Sequence, residues 1–347
     1  MGYNTYSTFG IDKLTSQRTE KACPVIGCNE KTESDGGKSI CRKHGLEIHK
    51  STFIYYNGNS REDKKKAMLR NLLPFRTDFI SNYIIGNKYK AESYRLGSEN
   101  SEDALTWNIF AGLLYYKKLH KVYNQLTEEN ATSNQLDLFL WGLKIDFNTQ
   151  ESSPWHRLLE VRAVLEPRSE VRRFPTEPDI MILGPTHLVC IEAKFTSGNP
   201  VVFEGKDVKD EKPKSREGLI ERYIMRNTIC NSPVIKPEEL GDKIHSQLLR
   251  MLVFTSTIAK LEKRKWIVAN LISNTQWKDK KKSKSLGYDF DDPTSAIPAS
   301  VRNNFKFISW EDDIYKNILK NDPALVELSE YMKNKTANLK KAFEIAD

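Results

Sequence analysis

The sequence predicts a mixed α/β core preceded by a small cysteine-rich module. Three observations lead there: the apolar period changes between about residues 155 and 196, strong helical patterns stand on either side, and three of the five Cys fall between residues 23 and 41. With 39% hydrophobic and 10% aromatic residues over 347 positions, the chain holds too much core-forming material to be disordered or fibrous.

Residues 1 to about 50 are polar and turn-rich, with Gly36 and Gly37, so something other than an apolar core should organise them. Ser60 and Asp63 then suggest a capped helix through KKKAMLRNLL. Ser101 can cap a second helix, with Glu102 and Asp103 in its first turn and Leu105, Ile109, Leu113, Tyr116 and Leu119 at helical spacing. Val161, Ala163 and Leu165 alternate and suggest a strand. EPDIMIL and HLVCIEAKF, separated by Gly184, Pro185 and Thr186, suggest a hairpin of two more. A helix is expected from about Lys243 to Glu262 and a buried strand from Trp266 to Ser273, with helix starts at Ser309 to Asp312 and at Asp322 and Pro323. The charged stretches Glu204 to Glu217 and Lys278 to Gly287 read as exposed loops. The resulting division is a basic module over 1–75, a core over 76–308 and C-terminal helices over 309–347.

The net charge is +8, and residues 1–75 hold 13 Lys and Arg against 8 Asp and Glu. Such a basic excess suits a polyanionic partner, because neutralising phosphates releases counterions. No apolar run reaches the roughly 18 to 20 residues of a membrane helix, and MGYNTYSTFG lacks a basic-then-apolar signal pattern. An intracellular, cytoplasmic protein is therefore expected.

Pro178 and Asp179 are followed, after twelve residues, by Glu192, Ala193 and Lys194. Alternation along a strand puts Glu192 and Lys194 on one face, about 6 to 7 Å apart. A two-residue loop at Gly184 and Pro185 would pair Asp179 with Cys190; a four-residue loop from Gly184 to His187 would pair it with Glu192. Both registers turn Asp179 to the face of Glu192, whereas a three-residue loop would turn it away. Two carboxylates held together repel unless a cation separates them, and Mg²⁺ suits a few carboxylates with its other positions left to water and phosphate oxygens. Beside them Lys194 can orient a water or offset developing negative charge, so phosphodiester hydrolysis fits these parts. An ion pair beside an ordinary hairpin is the plainer alternative.

These residues, in the order helix (SEDALTWNIF), hairpin, helix (SQLLRMLVF) and strand (WIVANLI), resemble the core of the PD-(D/E)XK, or restriction-endonuclease-like, nucleases over roughly residues 95 to 275. The resemblance implies a mixed central β-sheet flanked by helices. It implies that Asp179, Glu192 and the Ala193 carbonyl bind catalytic Mg²⁺, with Lys194 serving the attacking water. It also nominates Glu102 as a further acid, with Asp103 as its substitute. Gln247 and Arg250 on the later helix are candidates for substrate phosphates, while Glu160 and Glu166 receive no role.

Cys23, Cys28, Cys41 and His44 supply four ligands within 22 residues, enough for the closed tetrahedral shell of structural Zn²⁺; His49 is the alternative fourth ligand. Coordination would supply folding free energy that so small a segment cannot draw from apolar burial. Lys38, Arg42 and Lys43 surround the ligands and favour nucleic acid as partner, whereas Cys190 and Cys230 read as packing residues. The expectation is a Mg²⁺-dependent endonuclease acting on double-stranded DNA, suited to restriction or defence and naturally a homodimer on palindromic sites. The alternatives are a zinc-dependent nucleic-acid-binding protein that does not cut, and an RNA or DNA-repair nuclease with the same core.

Overall fold

A computed structural model of the chain describes residues 22–345 apart from 26, 36, 50–51, 74–93, 150–152, 173–174, 196–200, 203–211, 214, 230–233, 242–243, 276–296, 334, 338–339, 342 and 344. Cys230 and the expected loop over Lys278 to Gly287 lie outside the described residues, as does most of the loop over Glu204 to Glu217.

The N-terminal module is a four-stranded antiparallel meander: β1 (Glu33–Asp35), β2 (Lys38–Cys41), β3 (Leu46–Ile48) and β4 (Phe53–Tyr55). Its own core is small, with Val25, Leu46, Ile48, Phe53 and Tyr55 packed around Cys23 and Cys41. Helix α1 (Arg61–Leu69) follows, and the Ser60 hydroxyl caps it by accepting the Asp63 N–H at 3.1 Å, as the sequence suggested. Ala67 of this helix packs on the module, while Met68 and the following Leu72 and Leu73 pack into the main core.

The second helical region starts as expected, with Ser101 capping α2 (Glu102–Thr106). It then widens into a π-helical turn, Trp107–Ala111, before α3 (Gly112–Tyr115), and α4 (His120–Thr127) is a separate helix. The single helix read through Leu119 is thus three helical pieces and a break.

The main sheet has six strands in the order β12-β11-β8-β7-β5-β6. Here β5 is Asp137–Leu140, β6 Leu143–Ile145, β7 Ile180–Leu183 and β8 His187–Ala193. The two-residue strands β9 (Val201–Val202) and β10 (Ile244–His245) pair with each other, and β11 is Lys265–Ile272 and β12 Phe305–Ser309. The β8, β11 and β12 strands run parallel and the others antiparallel, so the sheet is mixed.

Residues 156–165 correct the sequence reading. They form helix α5 (His156–Leu165), whose buried residues Leu158, Val161 and Leu165 follow helical spacing. Val161, Ala163 and Leu165 also satisfy a period of two, and three positions are too few to separate the patterns. Burying those three side chains contributes about 1.5–3 kcal/mol each, which favours the helix over any local strand preference. The strand expected there is supplied instead by β5 and β6. They are joined through Trp141 and Gly142, both at positive φ (53° and 80°), as a tight two-residue hairpin requires.

Helix α6 (Arg216–Leu219) runs on as a π-helical segment, Ile220–Met225. The long helix α7 (Ser246–Leu261) connects β8 to the parallel β11, so it runs antiparallel to both. It packs with α5 on one face of the sheet over Met181, Leu188, Cys190 and Val268; α2 to α4 cover the other face, over Ile180, Ile182, Ile191 and Ala193. The expected C-terminal starts are present: Ser309 caps a π-helical segment, Trp310–Leu319, and Asp322 caps the turn Pro323–Leu325 that leads into α8 (Val326–Lys333). Trp310, Ile314, Leu319 and Leu328 join the core on the α2 side. Among the described residues no helix is long and apolar enough to cross a membrane.

The β7–β8 hairpin takes the four-residue loop. Ile180 pairs with Ile191 and Leu183 with Leu188, and the Gly184 N–H reaches the His187 carbonyl at 3.0 Å. Buried Tyr123 of α4 fixes this register, since its hydroxyl accepts the His187 N–H at 2.9 Å. A Cβ at position 184 would collide with the Tyr123 ring. Gly184→Ala should therefore lower stability by about 1–3 kcal/mol, read from the urea midpoint. An unaltered midpoint would contradict this packing.

Candidate functional site

The hairpin register, continued one step, sets Asp179 opposite Glu192, so both carboxylates leave the sheet on one face. Asp179 Oδ2 accepts the Ala193 N–H at 3.1 Å, and the Asp179 carbonyl accepts the Trp141 N–H at 3.2 Å. In an extended strand a residue's N–H and C=O point to the same side, so the Ala193 carbonyl also turns toward Asp179.

Lys194 follows β8 directly. Its backbone N–H donates to Leu271 at 2.7 Å, and its carbonyl accepts the indole N–H of fully buried Trp310 at 3.0 Å. With the backbone held on both sides, the side chain folds back into the protein and is 4% exposed as a residue. Its Nζ lies 2.6 Å from Glu192 Oε1, 3.4 Å from Glu102 Oε1 and 3.9 Å from Asp179 Oδ2. Glu102 comes from the first turn of α2, and its other oxygen accepts the Phe195 N–H at 2.8 Å. The structure therefore brings Glu102, 92 residues from Lys194 in the sequence, to the cluster of Asp179, Glu192 and Lys194.

Charge is not balanced in this cluster. Burial pushes the Asp179 carboxyl well above the ordinary carboxylate range, Glu192, Glu102 and Asp103 push the same way, and Lys194 opposes them. The Lys194 ammonium is held above its ordinary value: burial works against the charge, and Glu192, Asp179 and Glu102 together outweigh it. Glu192 is 1% exposed, and its Oε2 is buried without a hydrogen-bond partner. Such an orphaned carboxylate oxygen is costly and marks a place where a cation fits.

Glu166, to which the sequence gave no role, is buried and fully engaged. It accepts the Thr176 N–H at 2.6 Å, the Thr176 hydroxyl and the Tyr223 hydroxyl. This anchors the segment that leads into Asp179. Trp310 and Tyr123 also support the site, and the only mark of any of the three in the sequence is an apolar or acidic residue at an unremarkable position.

The second cluster belongs to the module. One ligand atom each from Cys23, Cys28, Cys41 and His44 lies within 4.8 Å of all the others, and the four can hold a metal ion such as zinc. A tetrahedron built on Zn–S of about 2.3 Å and Zn–N of about 2.0–2.1 Å has edges of about 3.8 Å for S···S and about 3.5 Å for S···N. The Cys28 and Cys41 sulfurs are 3.9 Å apart, and His44 Nδ1 is 3.4 Å from Cys23 Sγ and 3.5 Å from Cys41 Sγ. The donor set fits. Burial lowers the His44 pKa, Lys43 and Arg70 add to this, and the neutral imidazole that results is the form that ligates. Burial raises the Cys23 and Cys41 thiols, so metal binding must displace their protons. Arg70 of the α1 C-terminus steadies the His44 loop, donating to the His44 carbonyl at 2.7 Å and the Gly45 carbonyl at 2.9 Å. His49 is not part of the cluster; its Nε2 lies 3.1 Å from Glu47 Oε1.

Of the three basic residues expected beside the ligands, two are paired within the module. Lys38 pairs with Glu47 at 2.7 Å, and Arg42 with Asp35 at 2.9 Å and Glu33 at 3.2 Å, which leaves Lys43 exposed. In the core, Gln247 is partly buried and Arg250 buried, both at the start of α7. Compared with protein-family models, curated proteins and solved structures, the chain has no significant match.

Two outcomes are expected here. A buried Asp with a raised pKa binds a proton that the unfolded chain releases. The resulting penalty is absent at low pH and grows as pH rises above the ordinary value of 3.8. In EDTA, Asp179→Asn should melt a few degrees higher than the wild type near pH 7.5, with the gain shrinking toward pH 4; a pH-independent difference would contradict the charge imbalance. Separately, titration with Co²⁺ should give the absorption of a tetrahedral thiolate site at about one equivalent. That spectrum should be lost or strongly weakened in Cys28→Ser.

Proposed function

We propose that the chain is a Mg²⁺-dependent endonuclease that hydrolyses DNA phosphodiester bonds, with structural zinc in its N-terminal module. The observation that carries the reading is the cluster at the end of β8. Three carboxylates converge on one ammonium, burial and their mutual repulsion raise the Asp179 pKa, and one oxygen of Glu192 is buried without a hydrogen-bond partner. The resemblance to PD-(D/E)XK nucleases rests on these same residues, and the mixed sheet with its hairpin and α7 crossover is in keeping with it.

In this reading Asp179, Glu192 and the Ala193 carbonyl hold the ion, and Glu102 adds a further carboxylate at the rim. A divalent ion held there would supply a Lewis acid and lower the pKa of a coordinated water. Lys194 would present an ammonium to the attacking water and to the charge that develops on the phosphoryl oxygens. Trp310 and Leu271 keep the Lys194 backbone in place, and the segment anchored by Glu166 does the same for Asp179. The closed Cys₃His shell has no open position for substrate, which fits a structural role. Double-stranded DNA as substrate, a restriction or defence setting and a homodimer are part of the same proposal.

The test is incubation of purified protein with plasmid and phage DNA in Mg²⁺ or EDTA. Cleavage should require Mg²⁺ and fall at least about a hundredfold in Lys194→Ala, with a comparable loss in Glu192→Gln. Cleavage that persists in EDTA, or equal rates in wild type and Lys194→Ala, would refute the reading. Binding without cutting would favour the non-catalytic alternative.

A further inference from the structure

A cavity of about 230 Å³ lies between the N-terminal meander and α1, apart from both clusters described above. The strand registers build one wall of it. Glu47 stands between Ile40 and Ile54, and Lys38 is two residues from Ile40, so Lys38, Glu47 and Ile54 share the sheet face opposite to that of Cys41. Tyr55, with Ala67 and Met68 of α1, closes the apolar side. The volume is below the roughly 300–1,000 Å³ of sites for drug-sized ligands and suits a single ring system.

The polar wall has a defined order. Glu47 is 8% exposed; its Oε2 accepts Lys38 Nζ at 2.7 Å, and its Oε1 meets His49 Nε2 at 3.1 Å. A carboxylate has about four lone-pair directions, so each oxygen keeps one to offer. Lys38 is fixed as well. Its ammonium lies 5.7 Å over the Tyr56 ring, and the Tyr56 hydroxyl donates to Asp35 Oδ2 at 2.8 Å. Along this wall stand one donor, the ammonium, and then two acceptors, the carboxylate oxygens. The Watson–Crick edge of guanine carries the complement in the same order: the O6 acceptor, then the N1–H and N2–H donors. Adenine, cytosine and thymine have no two adjacent donors on that edge. Exposed Lys64 of α1 lines the same cavity and offers a cation to a nucleotide phosphate.

We propose that this cavity is a guanine-binding site, with Glu47 accepting N1–H and N2–H, Lys38 donating to O6, and Ile54, Tyr55 and Met68 walling the ring. It goes beyond the nuclease reading, because it belongs to the N-terminal module and not to the acidic cluster. The base can come from a free nucleotide or from a nucleic-acid strand in which it is turned out of the stack, and the chemistry read is the same.

The test is calorimetric titration of the full chain in Mg²⁺-free buffer with dGMP, dAMP, dCMP, TMP and dIMP, the last lacking the N2 amino group. Affinity for dGMP should exceed that for each of the others by at least about tenfold. Glu47→Gln should lose at least about tenfold of dGMP binding, and Ile54→Trp, which fills the cavity, should lose it altogether, with the urea midpoint as the check on folding. A second arm compares a fluorescein-labelled single strand of T with one central G against an all-T strand, by anisotropy. Guanine preference in the strand alone assigns the base to nucleic acid, and in dGMP alone to a free nucleotide. No guanine preference in either arm would overturn the site, as would wild-type dGMP affinity in folded Glu47→Gln or Ile54→Trp. If neither variant folds, equal binding of dGMP and dIMP by the wild type overturns it. Guanine binding by a chain that does not cut DNA would keep this site and remove the nuclease reading; Mg²⁺-dependent cutting without guanine preference would do the reverse.

Discussion

An ammonium lodged among three carboxylates at the end of a buried strand is the constraint on which the rest of the protein depends. Glu192 and Lys194 are nearly inaccessible to water, and their 2.6 Å contact is strong only because both backbones are fixed. Removing either partner from such a pair leaves an uncompensated buried charge, at a cost of about 3–5 kcal/mol. Much of the surrounding architecture prevents that separation. Trp310 and Leu271 hold the Lys194 backbone, Tyr123 sets the hairpin register that puts Asp179 opposite Glu192, and α2 brings Glu102 in from the other face of the sheet. Burial and the neighbouring acids together hold the Asp179 carboxyl well above the ordinary carboxylate range, with Lys194 opposing them.

The N-terminal module solves its stability problem differently. Its apolar core has only a handful of side chains, and two of those are the cysteines that converge with Cys28 and His44. Metal coordination can therefore replace the burial that the module lacks. Arg70 ties the ligand loop to α1, and α1 in turn sends Met68 into the main core, so order at the ligands is transmitted to the larger unit. The pairing of Lys38 and Arg42 with acids of the same module reduces the positive charge it presents to a partner.

Much of the site was legible in the sequence because strand alternation and loop parity are nearly rigid rules. Asp179, Glu192 and Lys194 had to share a face for either even-numbered loop, and Glu102 stood in the first turn of a well-capped helix. Sequence could not choose between the two loops, since the choice depends on Tyr123, which reaches the turn from 64 residues upstream of His187. Residues 156–165 were misread because Val161, Ala163 and Leu165 satisfy both periods, while the deciding neighbours are α7 and the sheet. Strands β5 and β6 were missed because their turn is Trp141 and Gly142, outside the usual Asn-Gly or Asp-Gly signals. The roles of Glu166 and Trp310 exist only through tertiary contacts.

The central claim is that Asp179 and Glu192 grip a divalent ion, and the most direct measurement is anomalous diffraction from crystals of the protein soaked in Mn²⁺. The expected result is a single anomalous peak within about 2.0–2.3 Å of oxygens from both carboxylates, with the Lys194 ammonium moved off Glu192 Oε1. No peak at this cluster, with Lys194 still hydrogen-bonded to Glu192 at high Mn²⁺, would contradict it.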